Sequence, residues 1–115
     1  MSTNPLVDPD IEVTPARARE MLDSGEALVV DVREPYEREA GHIEGTRHIE
    51  LERLASNAET LPRDRPIVFH CRLGARSALA TRAFRSAGYD AWSLRGGIQA
   101  WHDEGLPHTG QVADH

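Results

Sequence analysis

Cys71 is the only cysteine in the chain, and its neighbours suit a nucleophilic thiolate. It follows Ile67-Val68-Phe69-His70, four residues able to form a buried strand. A short turn containing Gly74 comes next, then an alanine-rich stretch with helical spacing that begins near Arg76. A side chain where a strand ends and a helix begins faces the first-turn N–H groups, which lack intrahelical acceptors and form an anion site. The helix dipole adds about half a positive charge at that end. Arg72 and Arg76 add two cations that do not titrate near neutral pH. All three effects favour thiolate over thiol. A free cysteine is more often a small buried apolar residue than a reagent. An inert thiol, however, requires no flanking arginines, no glycine and no helix aimed at it.

The whole chain narrows the chemistry further. At 115 residues it is one domain with room for a single core. A lone cysteine excludes an internal disulfide and a Cys-rich zinc site, and no second thiol can resolve an intramolecular disulfide. The six histidines include no His-x-x-x-His pair, so neither a metal nor another cofactor is expected. A formal charge of -6 argues against non-specific nucleic-acid binding. All thirteen basic residues are arginine, which carries no functional weight. No apolar run approaches the roughly 18 residues of a membrane span. Met1–Asp10 has neither a basic start nor a hydrophobic segment, so a cytoplasmic, reducing setting is expected.

Strands and helices alternate along the chain. Residues 1–10 read as a flexible N-terminal arm and Ile11-Glu12-Val13 as a short strand. Thr14-Pro15 is a helix start, with a capping hydroxyl and proline at the first helical position, and Gly25 ends that helix. Ala27 to Val32 is apolar on both faces, as a central parallel strand should be. A short charged helix over Arg33–Ala40 follows, with Glu34, Glu37 and Glu39 read as its solvated face, then a glycine-bracketed turn and short strand to Ile49. Leu51, Leu54, Ala55 and Ala58 have the spacing of an amphipathic helix. After Cys71, Ala80, Ala83, Phe84 and Ala87 line one face of a helix ended by Gly88. Tyr89–Leu94 is the last strand, and Gly96-Gly97 turns into a short helix through Trp101. Trp92 and Trp101 read as packing residues, and residues 108–115 as a flexible C-terminal tail. The alternation predicts an α/β fold on a mainly parallel sheet, with ligands bound beyond the strands' carboxyl ends, where Cys71 stands.

Four segments together resemble a single-domain rhodanese, of the sulfurtransferase family. They are Asp31-Val32-Arg33-Glu34 with Tyr36-Glu37, Gly41-His42-Ile43-x-Gly45, Cys71-x-x-Gly74-x-Arg76-Ser77, and Leu94-x-Gly96-Gly97 with Trp101 and Gly105-Leu106-Pro107. They stand in family order over residues 11–107, read as the rhodanese-like domain. Thr46, where alanine is common, His48, where asparagine is frequent, and His70, before the cysteine, depart from the pattern. The resemblance implies a three-layer sandwich with a five-stranded sheet flanked by helices. It also implies an active-site loop, Cys71, Arg72, Leu73, Gly74, Ala75 and Arg76 followed by Ser77, whose N–H groups wrap the cysteine sulfur.

The implied activity moves sulfane sulfur from thiosulfate or a similar small anionic donor to cyanide or another thiophilic acceptor, a thiol, through a Cys71 persulfide. Splitting the transfer in two is covalent catalysis with ping-pong kinetics. Arg72 reads as a rim charge that attracts the donor. For Arg76 two roles stay open, facing the anion or capping the loop while its stem packs on the helix. Asp31 and Arg33 read as structural support, the first accepting backbone N–H groups and the second pairing with a nearby glutamate. His42 reads as a hydrogen-bonder in its turn. One alternative is a persulfide carrier or sensor module serving a protein acceptor. A more distant one is a rhodanese-fold phosphatase or arsenate reductase, whose loops place five residues between cysteine and arginine where this chain has four.

Overall fold

Val30, Ile67, Val68 and Phe69 are fully buried, so the strands that carry them must be covered on both faces. The computed structural model describes residues 8–112. Its five strands are β1 (Glu12–Val13), β2 (Leu28–Asp31), β3 (Arg47–His48), β4 (Ile67–His70) and β5 (Ala91–Leu94). They form one sheet in the order β1-β5-β4-β2-β3, parallel throughout. Side chains alternate across it. Val30, Ile67, Phe69, Cys71 and Ala91 face one core with Ala80 and Phe84 of helix α3 (Ala75–Ser86). Val29, Val68 and Leu94 face the other, with Ala18 and Met21 of α1 (Pro15–Ser24) and Ile98 and Trp101 of α4 (Gly97–Asp103). The result is the α/β fold that the alternation predicts, in the three layers that the resemblance implies.

The topology selects the place of the site. After β2 the chain moves outward to β3, and after β4 it moves the other way, to β5. The order therefore reverses between β2 and β4, where open parallel sheets leave a crevice at the strands' carboxyl ends. Register pairs Asp31 with His70 there, and Cys71 is the next residue. Local signals hold the flanking helices in place. Thr14 Oγ1 accepts the Arg17 N–H at 3.2 Å, with Pro15 at the first helical position and Gly25 closing α1 at φ 77°. Helix α2 (Pro35–Ala40) begins with a reciprocal capping box between Glu34 and Glu37.

Three expectations are corrected. The segment from Leu51 is not one amphipathic helix but two 3-10 turns, Leu51–Arg53 and Ala55–Thr60. Side chains there bond the local backbone, Asn57 Nδ2 donating to Arg53 O at 2.9 Å and Thr60 Oγ1 to Asn57 O at 2.7 Å, which competes with regular α geometry. On α3, Ala83 and Ala87 are exposed, and the buried face is Ser77, Ala78, Ala80, Thr81 and Phe84. Its two hydroxyls are satisfied, Thr81 Oγ1 donating to Ser77 O at 2.7 Å. Residues 1–7 of the predicted arm and 113–115 of the predicted tail lie outside the described residues. Residues 108–112 follow the Ala40–Ile43 turn, with Thr109 N–H on His42 O and Gln111 N–H on Ala40 O, both at 2.8 Å, and Val112 in the second core.

Candidate active site

Strand β4 is wholly buried, so it carries Cys71 rigidly to the crevice. Gly74 then adopts φ 118°, backbone that side chains other than glycine's rarely tolerate. The turn brings the Gly74 N–H to within 3.1 Å of Cys71 Sγ, and the Ser77 N–H lies 3.4 Å from the same atom. Helix α3 has no side-chain cap at Gly74; the sulfur fills that role, receiving the third-position N–H that a capping oxygen ordinarily takes. Of the loop, Gly74 and Ser77 are the residues whose N–H groups reach Sγ, fewer than the full wrap implied by the resemblance. First-turn amides of α3 have no intrahelical acceptor, which leaves this end of the helix able to meet an incoming anion.

Hydroxyl groups complete the cradle. Ser77 Oγ stands 3.5 Å from Sγ, donates to Gly74 O at 3.2 Å, and shares a 2.8 Å hydrogen bond with Ser93 Oγ. When the sulfur is an anion, the Ser77 proton can turn to it while Ser93 donates to Ser77. Sequence reasoning missed Ser93. Its one signal is a hydroxyl inside the strand Ala91-Trp92-Ser93-Leu94, and its position opposite Phe69 emerges only from the register.

Beneath the loop, the first turn of α4 donates to it. Ile98 N–H bonds Cys71 O at 2.9 Å and Gln99 N–H bonds Arg72 O at 3.1 Å. Cys71 itself is 1% exposed, whereas Leu73 is 45% exposed. The sulfur thus lies below the rim of the loop. Arg72 is half-buried at that rim and Ala75 is exposed. Arg76 does not contact Sγ: its Nη1 and Nη2 donate to Glu37 Oε1 and Oε2 at 2.7 and 3.0 Å. Glu37, expected on a solvated face, has a side chain only 12% exposed. Burial pushes its carboxyl up, but the Arg76 hydrogen bonds and the Glu34 N–H outweigh that and hold it below its ordinary value.

The model of the Rhodanese-like domain matches residues 14–104. That span includes the loop and every strand except β1. The chain belongs to the rhodanese-like family. It is 37% identical over 90 residues to thiosulfate sulfurtransferase GlpE of Pseudomonas aeruginosa, covering 77% of this chain and 81% of that protein. It is 35% identical over 91 residues to a sulfurtransferase of Allochromatium vinosum, covering 78% and 85%. A third relative, the probable adenylyltransferase/sulfurtransferase MoeZ of Mycobacterium tuberculosis, is 41% identical over 99 residues, but the chain spans only 25% of its length. Among solved structures, a rhodanese-related protein of Thermoplasma volcanium superposes with a TM-score of 0.80 at 31% identity, covering 88% of this chain and 99% of that one.

In this rhodanese-like domain the residues behind Cys71 form a buried ionic cluster. Asp31 Oδ1 accepts the Arg33 N–H and Nε–H at 3.0 Å each, and Oδ2 accepts Arg33 Nη2 at 2.9 Å and Arg38 Nη1 at 3.2 Å. Arg33 thus pairs with an aspartate and not, as the sequence reading had it, with a glutamate, because two residues along one strand end suffice for a fork. Its Nη2 also donates to Gly41 O at 2.8 Å, and its carbonyl accepts His48 Nε2 at 2.8 Å. His42 bonds Thr109, with its ring Nδ1 3.2 Å from Oγ1. Among the described residues, the one group of three or more potential metal ligands is Glu34, Glu50 and Glu52, with no histidine or cysteine.

His70 is the uncomfortable member. Its ring is fully buried, Nε2 has no hydrogen-bond partner, and Asp31 Oδ1 is 3.9 Å away. Burial, opposed by Asp31 and aided by Arg33, lowers its pKa from 6.5 to about 4. A folded value below the unfolded one means that the unfolded chain takes up the proton first as pH falls. Stability should therefore drop between pH 6.5 and 4, by about 2 kcal/mol at pH 4.5. His70→Leu should remove most of that loss while leaving stability at pH 7 equal or higher. Urea midpoints at pH 7 and 4.5 test it; an unchanged pH dependence in the variant would assign the acid sensitivity elsewhere.

Proposed function

We propose that this protein is a sulfurtransferase that passes sulfane sulfur from thiosulfate or a similar small anionic donor through Cys71 to cyanide or a thiol. The observation that supports it most directly is the pair of main-chain N–H groups aimed at Sγ from 3.1 and 3.4 Å. In the first step the Cys71 thiolate attacks the outer sulfur of thiosulfate. A new S–S bond forms, the donor's S–S bond breaks with its electron pair going to sulfite, and Cys71 is left as a persulfide anion. In the second, the acceptor attacks the outer sulfur and the electron pair of that bond returns to Cys71. Sulfite is a stable anion, so the step needs no proton donor; fixed dipoles for the charge on sulfur suffice. The Gly74 and Ser77 amides and the Ser77 hydroxyl supply them.

Intact-mass measurement after incubation with thiosulfate tests this reading. Wild type should gain one sulfur atom, lose it on addition of cyanide, and Cys71→Ala should gain none. Loading that persists in Cys71→Ala, or none in wild type, would refute it.

A protein acceptor is the second reading, favoured by the surface around the mouth. The exposed large hydrophobics among the described residues are Tyr36, Leu73 and Leu79. They fall at the start of α2, in the loop and in the second turn of α3, the elements that frame Cys71. Stoichiometric loading with slow cyanide turnover would select this reading. A phosphatase is disfavoured, since the loop arginine that would hold a phosphoryl group is engaged by Glu37.

A further inference from the structure

Arg76 closes the loop in the first turn of α3, one residue before Ser77, whose N–H lies 3.4 Å from Cys71 Sγ. Its hydrogen bonds to Glu37, then the charges of Glu37 and Cys71, outweigh burial and raise its pKa above the ordinary arginine value. Both terminal nitrogens are nevertheless committed to Glu37, in a fork of 2.7 and 3.0 Å. Glu37 in turn is immobilised, because its Oε1 also accepts the Glu34 N–H at 2.9 Å as part of the α2 capping box. A carboxylate so placed cancels the arginine's charge at the approach to the sulfur. It also denies an incoming anion the planar two-point contact that a guanidinium offers.

We propose that Glu37 sets the charge selectivity of the Cys71 cradle, acting through Arg76, so that main-chain N–H groups and not the Arg76 guanidinium meet the donor. The inference rests on Cys71 being the nucleophile of the proposed function. It narrows the donor class: the cradle discriminates weakly in favour of dianions, and sulfane carriers of lower charge, such as organic persulfides, compete with thiosulfate. Glu37 is a positioning residue here, because it touches Arg76 and not the reacting sulfur.

Two near-isosteric reagents of different charge read this out at the sulfur itself. Iodoacetate and iodoacetamide alkylate the same thiolate, so the ratio of their rate constants cancels the fraction ionised and reports the local potential. Glu37→Gln keeps the side chain's size and removes its charge, and should raise the iodoacetate-to-iodoacetamide ratio about threefold to tenfold at low salt. Arg76→Gln leaves Glu37 uncompensated and should lower the ratio by a similar factor. The double variant should return close to wild type. Mere loosening of the loop would move both reagents together and could not drive the single variants in opposite directions.

In the same variants the KM for thiosulfate should fall with Glu37→Gln and rise with Arg76→Gln. Ratios that stay at the wild-type value in both single variants overturn the proposal, as does a wild-type sulfur that neither reagent can reach. Ratios that shift as stated, with no sulfur gained from thiosulfate, would support the role of Glu37 while refuting the proposed donor.

Discussion

Gly97→Ala should abolish nearly all sulfur loading at Cys71 and destabilise the fold by about 3 kcal/mol. Gly97 has φ +66°, and a Cβ there would lie 2.3 Å from Arg72 O, 2.5 Å from Arg72 C and 2.7 Å from Cys71 O. These are backbone atoms, and the two carbonyls are already bonded to the Ile98 and Gln99 N–H groups. One side of the contact must move. If α4 retreats, both hydrogen bonds weaken and Ile98 and Trp101 withdraw from the second core. If the loop retreats instead, the Gly74 and Ser77 amides leave the sulfur, and a displacement near 1 Å is worth about a hundredfold in rate. Gly105→Ala is the matched control, because Gly105 has φ +75° with nothing within 4 Å of its would-be Cβ. It should lower stability by about 1 kcal/mol and leave loading intact. Equal loading in the two variants would show that α4 does not brace the loop. Sulfur gain by mass and urea midpoints supply both readouts.

The contrast between these glycines separates what the sequence makes legible from what it hides. The strand into Cys71, the Gly74 turn and the capped start of α1 are short-range features written in neighbouring residues, and the structure places them within a residue or two of expectation. Partners far apart in the chain are another matter. Arg76 and Glu37 are 39 residues apart, and nothing in either neighbourhood reveals that one will claim the other. Ser93 joins the cradle because β5 pairs with β4 in one particular register. The near-complete burial of Cys71 also escapes local reading, since it depends on a core shared with Val30, Val32 and Phe84, from distant parts of the chain, around a residue that sequence alone places at a mouth. The Leu51–Ala58 spacing misleads for the opposite reason: apolar period alone ignores serine, asparagine and threonine side chains that compete for the backbone.

Arg33→Met should be the most destabilising single change outside the loop, at about 3–5 kcal/mol. It removes two of the four hydrogen bonds that Asp31 accepts from Arg33 and Arg38, because the Arg33 N–H and Arg38 Nη1 remain; the two-point guanidinium contact and the link from Nη2 to Gly41 O vanish. Arg38 still reaches Oδ2, yet one half-buried arginine at 3.2 Å cannot balance a fully buried carboxylate. A loss of that size approaches the whole stability of a small domain, about 5–15 kcal/mol. The pH dependence identifies the cause. In the wild type burial opposes ionisation of Asp31, while His70 and the Arg33 hydrogen bonds and charge override it and keep the carboxyl well below the usual carboxylate range. Its contribution is present above the unfolded value of 3.8 and is lost only as pH falls through the much lower folded value. Without Arg33 the burial effect gains ground, so the variant's deficit against wild type should shrink as the medium is acidified toward pH 4. Asp31→Asn in the Arg33→Met background, which removes the orphaned charge, should recover stability at pH 7. A deficit that is constant with pH and unrelieved by the second substitution would mean that Arg33 matters for its packing volume and not for Asp31.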